Sequence, residues 1–301
     1  MPSSTRRIGL LASTFSADLR QVALSSRLMG ANGLLFDAFA GPLHLTKLSA
    51  TGRREVRQIL AGQDQAMVGL QADIGGIGLN IGADVDRIVA QFKQMLETAA
   101  GLVSPLVCVD IGPLPEPAII KKPRPDITPA MAGRILLADL NLSTPVADEP
   151  LGPPPDPRFV AQVHDALVAV GALADRYNVV VAWRSGLSSF AALHDALHRV
   201  ACPWFGIDLD PTCLQDDTRP ADQIFTSVGP LIRHVRVRDA LKGSTGRSKP
   251  APIGKGNVPW QTFMQNLNDA DYAGWLTVDA TDQPTRPESA EKAITFLKNL
   301  S

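Results

Sequence analysis

Short apolar runs alternate with longer segments of helical period along almost the whole chain. Eight β-branched or apolar runs predict strands, at residues 8–11, 33–36, 67–71, 106–109, 179–183, 205–209, 232–237 and 275–278. Between them, apolar residues recurring at helical spacing predict helices at residues 17–29, 53–61, 85–102, 158–177, 190–200, 260–267 and 288–300. This alternation is typical of βαβ units and a parallel sheet.

The number of strands favours closure of that sheet into a barrel. Eight strands in 301 residues fit a single (β/α)₈ barrel of the α/β class. No G-x-G-x-x-G motif follows the first strand, which weakens the alternative of an open doubly wound sheet. In the segment that opens after Pro259, the residues Trp260, Phe263, Met264 and Leu267 share one helical face. We therefore predict one domain over residues 1–301.

One segment, residues 112–157, interrupts the alternation. It holds half of the 24 prolines, so it cannot form one regular element. In a barrel it would leave from the carboxyl-terminal face after strand four, as a lid, a subunit contact or a solvated excursion. Residues 131–140 are apolar enough to form a short element within it.

Composition excludes several classes of protein. A net charge of −1, with the charges scattered, lacks the basic patch expected of a nucleic-acid binder. We find no apolar run long enough to span a membrane and no signal-peptide pattern near the amino terminus. The three cysteines are odd in number and far apart, which argues against a disulfide framework. A reducing cytoplasm is the simplest compartment for such a chain.

Polar residues of one phase mark the ends of the last four predicted strands. Side chains in a barrel strand alternate between the interior and the helix layer, so one phase points into the barrel. That phase contains Arg184, then Asp208 and Asp210, then His234 and Arg236, and finally Thr277 and Asp279. Active sites of such barrels lie at the carboxyl ends of the strands, and buried charges must pair, bind a metal or meet a ligand. Asp37, at the end of strand two, is either a further interior carboxylate or a strand-end cap.

The same stretches carry a family resemblance. Residues 181–189 (VAWRSGLSS), 206–213 (GIDLDPTC), 232–239 (IRHVRVRD), 252–260 (PIGKGNVPW) and 274–279 (GWLTVD) resemble the xylose isomerase-like barrels of sugar phosphate isomerases and epimerases. That group includes ketose 3-epimerases, inosose dehydratases and hydroxypyruvate isomerases. The resemblance covers nearly the whole chain and implies a role in carbohydrate metabolism.

The resemblance also implies a metal site, from which this chain departs. Active relatives carry a Glu, an Asp, a His and a Glu on strands five to eight, which bind one divalent cation, and the two glutamates move the substrate proton. Here Arg184 replaces the first Glu, Asp210 is retained, Arg236 replaces the His, and Asp279 shortens the last Glu.

Two further positions differ from the same pattern. Cys213 stands where relatives often place a histidine that contacts the substrate, and Lys255 replaces the Glu of the glycine turn.

Arginine cannot ligate a metal, because guanidinium has no acceptor lone pair and does not lose its proton. We therefore predict that Arg184 and Arg236 pair with Asp210 and Asp279 in the space of the cation. The implied proton relay would then be broken, so catalysis stays in question. The alternative is a metal (Mg²⁺, Mn²⁺, Co²⁺ or Zn²⁺) displaced towards Asp208, Asp210 and His234, with Asp279 as a further ligand and Cys213 nearby.

Three functions follow from these alternatives. The first is binding of a small polar or anionic ligand, such as a sugar phosphate or carboxylate, without a cofactor. Its candidate ligand-binding residues are Arg184, Arg236, His234, Asp208, Cys213 and Lys255. The second is an active metal-dependent isomerase or epimerase, and the candidate catalytic residues for any remaining activity are Asp279 and Asp210. The third is an interaction protein whose barrel is plugged by salt bridges; a homo-oligomer is compatible with each.

Overall fold

Eight parallel strands close into a barrel in the computed structural model, which describes residues 6–15, 18–40, 44–74, 78–117, 120–121, 149–150, 154–243 and 248–300. Each strand pairs with the next along the chain, and the last pairs with the first. The strands are β1 (Arg7–Leu11), β2 (Gly33–Asp37), β3 (Ala66–Asp73), β4 (Leu106–Asp110), β5 (Val180–Arg184), β6 (Phe205–Leu209), β7 (Ile232–Val237) and β8 (Trp275–Val278). All eight predicted strands are confirmed, with ends shifted by at most two residues.

Helices connect the strands on the outside of the barrel. They are α1 (Leu19–Met29), α2 (Ala50–Ala61), α3 (Val85–Leu102), α4 (Pro157–Tyr177), α5 (Phe190–Val200), α6 (Pro211–Asp216), α7 (Ala221–Val228), α8 (Trp260–Asp269) and α9 (Arg286–Asn299). Short 3₁₀ turns lie at Ala12–Thr14, Leu45–Lys47 and Gly229–Leu231. None of the helices in the described part of the chain is both long and apolar enough to cross a membrane.

Side-chain caps define where many of these helices begin. An Asp or Ser side chain accepts a backbone N–H of the first turn and satisfies a donor that has no partner within the helix. These capping residues are Asp18, Ser49, Asp84, Asp156, Ser189 and Asp210. The predicted apolar face of α8 is confirmed, since all four of its residues are buried.

The elements that the sequence prediction missed include two helices and a strand pair after β7. Helices α6 and α7 fall in a stretch that we left unassigned, because six and eight residues give few periodic positions. A two-stranded antiparallel pair, Asp239–Leu241 with Lys249–Ala251, also follows β7.

The core has two parts. The larger part fills the space between the barrel and its helices. A smaller one fills the barrel interior and contains Leu11, Leu35, Val68, Leu106, Cys108 and Ala182. Gly9 also faces this interior, where a Cβ would come within 2.7 Å of Thr277 Oγ1. The barrel is therefore packed with side chains up to the polar groups at its mouth.

Much of the proline-rich segment lies outside the described residues, including the predicted element at 131–140. Ile120–Lys121 pairs antiparallel with Glu149–Pro150. After β3, Gly78 has a positive φ of 55°.

Candidate functional site

The pairing of the barrel strands places the polar residues at one end of the interior. Asp110 on β4 lies opposite Arg184 on β5, and Thr277 on β8 lies opposite Arg236 on β7. The register of β6 against β7 shifts between Ile207 and Asp208. Such irregularities re-aim side chains next to functional sites, and this one sets Asp208 opposite His234.

Asp208 is the centre of the resulting network. Its side chain is 1% exposed, and its Oδ2 accepts hydrogen bonds from Arg236 Nη2 (3.2 Å), Arg236 Nε (3.4 Å) and Arg184 Nη1 (3.4 Å). Burial by itself would raise the pKa of Asp208, but the positive charge of Arg236 and the contact with His234 hold that pKa well below its usual range. Asp208 is therefore an ionised carboxylate whose charge is compensated by side chains of its own chain.

His234 joins Asp208 to the opposite side of the barrel. Its Nδ1 lies 2.6 Å from Asp208 Oδ1, and its Nε2 lies 2.7 Å from Thr277 Oγ1. Because Asp208 is ionised and can only accept, Nδ1 donates in this pair. Both ring nitrogens are engaged in a side chain that is fully buried.

Arg236 connects Asp208 to Asp279. Its Nη1 donates to Asp279 Oδ2 at 3.0 Å, and the residue is 3% exposed. Burial would lower the pKa of Arg236, but the charges of Asp208 and Asp279 outweigh that effect and raise it. Asp279 Oδ1 accepts from the backbone N (3.1 Å) and Oγ1 (2.6 Å) of Thr281. Burial opposes ionisation of Asp279, but Arg236 and Thr281 lower its pKa.

The predicted pairing was right for Arg236 with Asp279 and wrong for Asp210. Asp210 lies one residue beyond β6, where the chain already turns into α6. Its Oδ1 accepts from Thr212 N (2.9 Å) and Thr212 Oγ1 (2.6 Å), and its Oδ2 accepts from Arg238 Nη1 (3.4 Å). Arg184 instead donates from Nε to Asp110 Oδ2 at 3.1 Å.

Four residues of this region were absent from the predicted site. Asp110 was missed because the predicted strand ended one residue early, although it continues the alternation from Cys108. Arg238, the first residue after β7, also donates to Asp282, in the segment between β8 and α9. Cys108 lies buried beside Asp208, where burial and that carboxylate raise the pKa of its thiol well above the usual value.

The remaining predicted residues lie at different distances from this network. Cys213, on α6, is half-buried, and burial followed by the charge of Asp210 raises the pKa of its thiol. Lys255 is exposed in its turn. Asp37, the last residue of β2, accepts a hydrogen bond at 2.6 Å from Gln71 Nε2 on the neighbouring strand β3.

Asp239 holds the turn that contains Lys255. Its carboxylate is buried and accepts from the backbone N–H groups of Gly254 (2.9 Å), Gly256 (3.1 Å) and Val258 (3.2 Å). It also accepts from Trp260 Nε1 at 3.0 Å. A charged group with this many donors is a structural clamp for the turn between β7 and α8.

A divalent metal does not fit the residues at the position implied by the resemblance. The oxygens of Asp210 and Asp279 are already bound by arginine or threonine donors, and two of the four positions are arginines. Lower in the barrel, the ligand atoms of Cys108, Asp208 and His234 lie within 4.8 Å of one another. There, both imidazole nitrogens are already engaged by Asp208 and Thr277, and Asp208 Oδ2 accepts from Arg236 and Arg184, so a metal would have to replace these hydrogen bonds.

The family model described as "Xylose isomerase-like TIM barrel" matches residues 28–300. The chain belongs to this family. No curated protein sequence matches it.

Solved structures of xylose isomerase-like barrels share the fold at low sequence identity. The xylose isomerase domain protein of Planctomyces limnophilus is 16% identical, with a TM-score of 0.68 over 98% of this chain and 96% of that one. D-psicose 3-epimerase of Clostridium cellulolyticum H10, solved with D-tagatose, is 12% identical with a TM-score of 0.69 over 98% and 99%. A xylose isomerase-like TIM barrel protein of Mycobacterium smegmatis, solved with magnesium, is 14% identical with a TM-score of 0.67 over 98% and 96%.

Proposed function

We propose that this xylose isomerase-like barrel binds a small polyhydroxylated molecule at its mouth, without the metal-dependent proton transfer that the family resemblance implies. The observation that carries the proposal is the pairing of Asp208 and Asp279 with Arg236, with Arg184 as a second donor to Asp208. Side-chain cations of the chain occupy the acceptor atoms that a metal would need.

The charges at the mouth favour a neutral polar ligand over an anionic one. The arginine network contains three guanidinium groups and five carboxylates, a net charge of −2 without His234: Arg184, Arg236, Arg238, Asp110, Asp208, Asp210, Asp279 and Asp282. The mouth therefore contains both donors and acceptors, and each sugar hydroxyl can both donate and accept. Asp282 (43% exposed), Arg238 (32%), Asp110 (23%) and Arg184 (17%) are the members with the most accessible side chains.

The carboxylates are poor candidates for moving a proton on and off carbon. A general base works best with a pKa near the operating pH, whereas the pKa of Asp279 is lowered and both of its oxygens are engaged. Asp208 is held ionised by Arg236 in the same way. The guanidinium groups at the mouth already donate hydrogen bonds to carboxylates, which leaves fewer donors to stabilise an enolate-like oxyanion.

Binding and proton transfer can be tested separately. Calorimetric titration with a neutral ketohexose, its phosphate and a dicarboxylate, each with and without chelator, measures ligand preference and metal dependence. We expect the neutral sugar to bind best and chelator to have no effect. Arg184→Met should weaken binding, whereas Arg199→Met, at an exposed arginine on α5, is the matched control.

Proton transfer has its own readout. In D₂O with added Mg²⁺, proton NMR would follow loss of the signals next to the sugar carbonyl, and we expect no exchange. Metal-dependent exchange would refute the proposal and establish the second candidate, a metal-dependent isomerase or epimerase.

One observation favours that candidate, the closeness of the ligand atoms of Cys108, Asp208 and His234. Tight binding of the phosphate alone would instead show that the charge argument is wrong.

A further inference from the structure

Two histidines lie one turn apart on the outer helix α5. His194 and His198 are four residues apart, so their side chains are neighbours on one face of the helix. Their imidazole rings stack, with centroids 5.8 Å apart and planes inclined by 22°. His194 is half-buried and His198 is exposed. Packing therefore restrains the first ring, while the second can turn in solvent.

The ring nitrogens of this pair are available to a ligand. Among the described residues, neither imidazole has a hydrogen-bond partner. His234 in the barrel differs, because both of its ring nitrogens are engaged by side chains of the chain. A histidine ligates a metal through the lone pair of a neutral ring, so free nitrogens are the first requirement for a site.

The charges next to the pair are already compensated. Asp195 accepts a hydrogen bond from Arg199 at 2.8 Å, and Arg219 lies 3.4 Å from the buried carboxylate of Asp217. Burial, followed by the neighbouring imidazole and the charge of Arg219, lowers the pKa of His194. This ring is therefore neutral at neutral pH and keeps its lone pair.

We propose that His194 and His198 together bind one late divalent transition-metal ion: Ni²⁺, Cu²⁺ or Zn²⁺. Imidazole suits these ions and bonds Zn²⁺ at about 2.0–2.1 Å. Two histidines four residues apart on one helical face ligate a single ion in helical metal motifs, and the exposed His198 can turn towards His194 to do so. No third Cys, Asp, Glu or His joins the pair in the part of the chain that the structure describes, so water completes the coordination.

The site is separate from the barrel mouth. Helix α5 belongs to the outer layer, whereas the arginine network lies in the barrel interior and at its mouth. The ion preference differs as well, because Mg²⁺ and Mn²⁺ favour oxygen ligands and should not bind a pair of imidazoles. The proposal therefore does not depend on what the barrel mouth binds.

Calorimetric titration of the full-length chain, without a histidine tag, tests the proposal with Ni²⁺ and Zn²⁺ as probes. We expect the wild type to bind one ion per chain. His198→Gln should bind it at least about tenfold more weakly, because losing a ligand costs no less than losing a residue that merely orients one. His164→Gln removes an imidazole that is 44% exposed on α4, and should leave the affinity unchanged.

A variant of identical composition separates geometry from the number of histidines. His198→Arg/Arg199→His keeps two imidazoles on α5 but moves one of them by about 100° around the helix axis. We expect it to lose as much affinity as His198→Gln. Melting temperatures without metal confirm that each variant is folded, and added Ni²⁺ should raise that of the wild type and of His164→Gln alone.

Three results would overturn the proposal. The first is a wild-type chain that binds neither Ni²⁺ nor Zn²⁺ at submillimolar concentration. The second is wild-type affinity in His198→Gln or in the exchanged variant, since the ion would then lie elsewhere. The third is binding of Mg²⁺ as tight as that of Ni²⁺, which would show that oxygen atoms and not imidazoles hold the ion.

Discussion

Replacing Asp208 by Asn tests whether the arginine network is held by this carboxylate. The substitution keeps the shape of the side chain and removes its charge. Arg236, which is 3% exposed, would then retain only Asp279 as an ionic partner, and Arg184 would retain only Asp110.

The expected cost follows from this burial. Removing one partner of a buried ion pair costs about 3–5 kcal/mol, because a buried charge is left uncompensated. Asp279 still compensates part of the charge of Arg236, so we expect the lower end, about 3 kcal/mol in the free energy of unfolding. With a urea dependence of about 3 kcal/mol/M, the midpoint would move down by about 1 M.

Urea unfolding followed by circular dichroism measures that midpoint. Asp195→Asn is the matched control, since Asp195 forms an exposed pair with Arg199 on α5 and such pairs contribute little. The double variant Asp208→Asn/Arg236→Met should be less destabilised than the sum of the single variants, because the uncompensated guanidinium is then absent. Equal midpoints for Asp208→Asn and Asp195→Asn would refute the reasoning.

Three further predictions concern pH, metal binding and the turn before α8. The pKa of Asp208 is lowered in the folded protein, so its contribution is present above the ordinary carboxyl pKa of about 4 and is lost as the pH falls towards the lowered value. The free energy of unfolding should therefore fall more steeply between about pH 5 and pH 3 in the wild type than in Asp208→Asn; parallel curves would contradict this. Arg184→Glu/Arg236→His restores the residue types that the family resemblance implies for the metal ligands, and should gain Mn²⁺ binding by calorimetry where the wild type shows none. Asp239→Ala leaves buried backbone donors and Trp260 Nε1 without their acceptor, so we expect a loss of at least about 3 kcal/mol in urea unfolding and a changed Trp fluorescence; a wild-type midpoint would show that the turn does not depend on this carboxylate.

The strands and the long helices could be predicted because local pattern determines them. β6 and β8 are short, mostly apolar runs, and β7 alternates apolar with charged residues. Helices α3 and α5 have strong helical periodicity and side-chain caps at their first turns. Helix α6 was missed because six residues hold too few turns to show a period. The alternation of polar residues on β6 and β7 likewise predicted which side chains face the barrel interior.

The pairing of arginines with aspartates in the barrel interior could not be predicted from local sequence pattern. The sequence alone determined that arginines stand at two of the positions where the resemblance implies metal ligands, and that aspartates accompany them. Only the tertiary structure decided that Asp208, and not Asp210, receives both arginines. The reason is the shift in register between β6 and β7 and the turn into α6, which together bring Asp208 beside His234 and Arg236 and leave Asp210 to cap a helix. Such a choice depends on the relative heights of neighbouring strands, which no pattern within a single strand records.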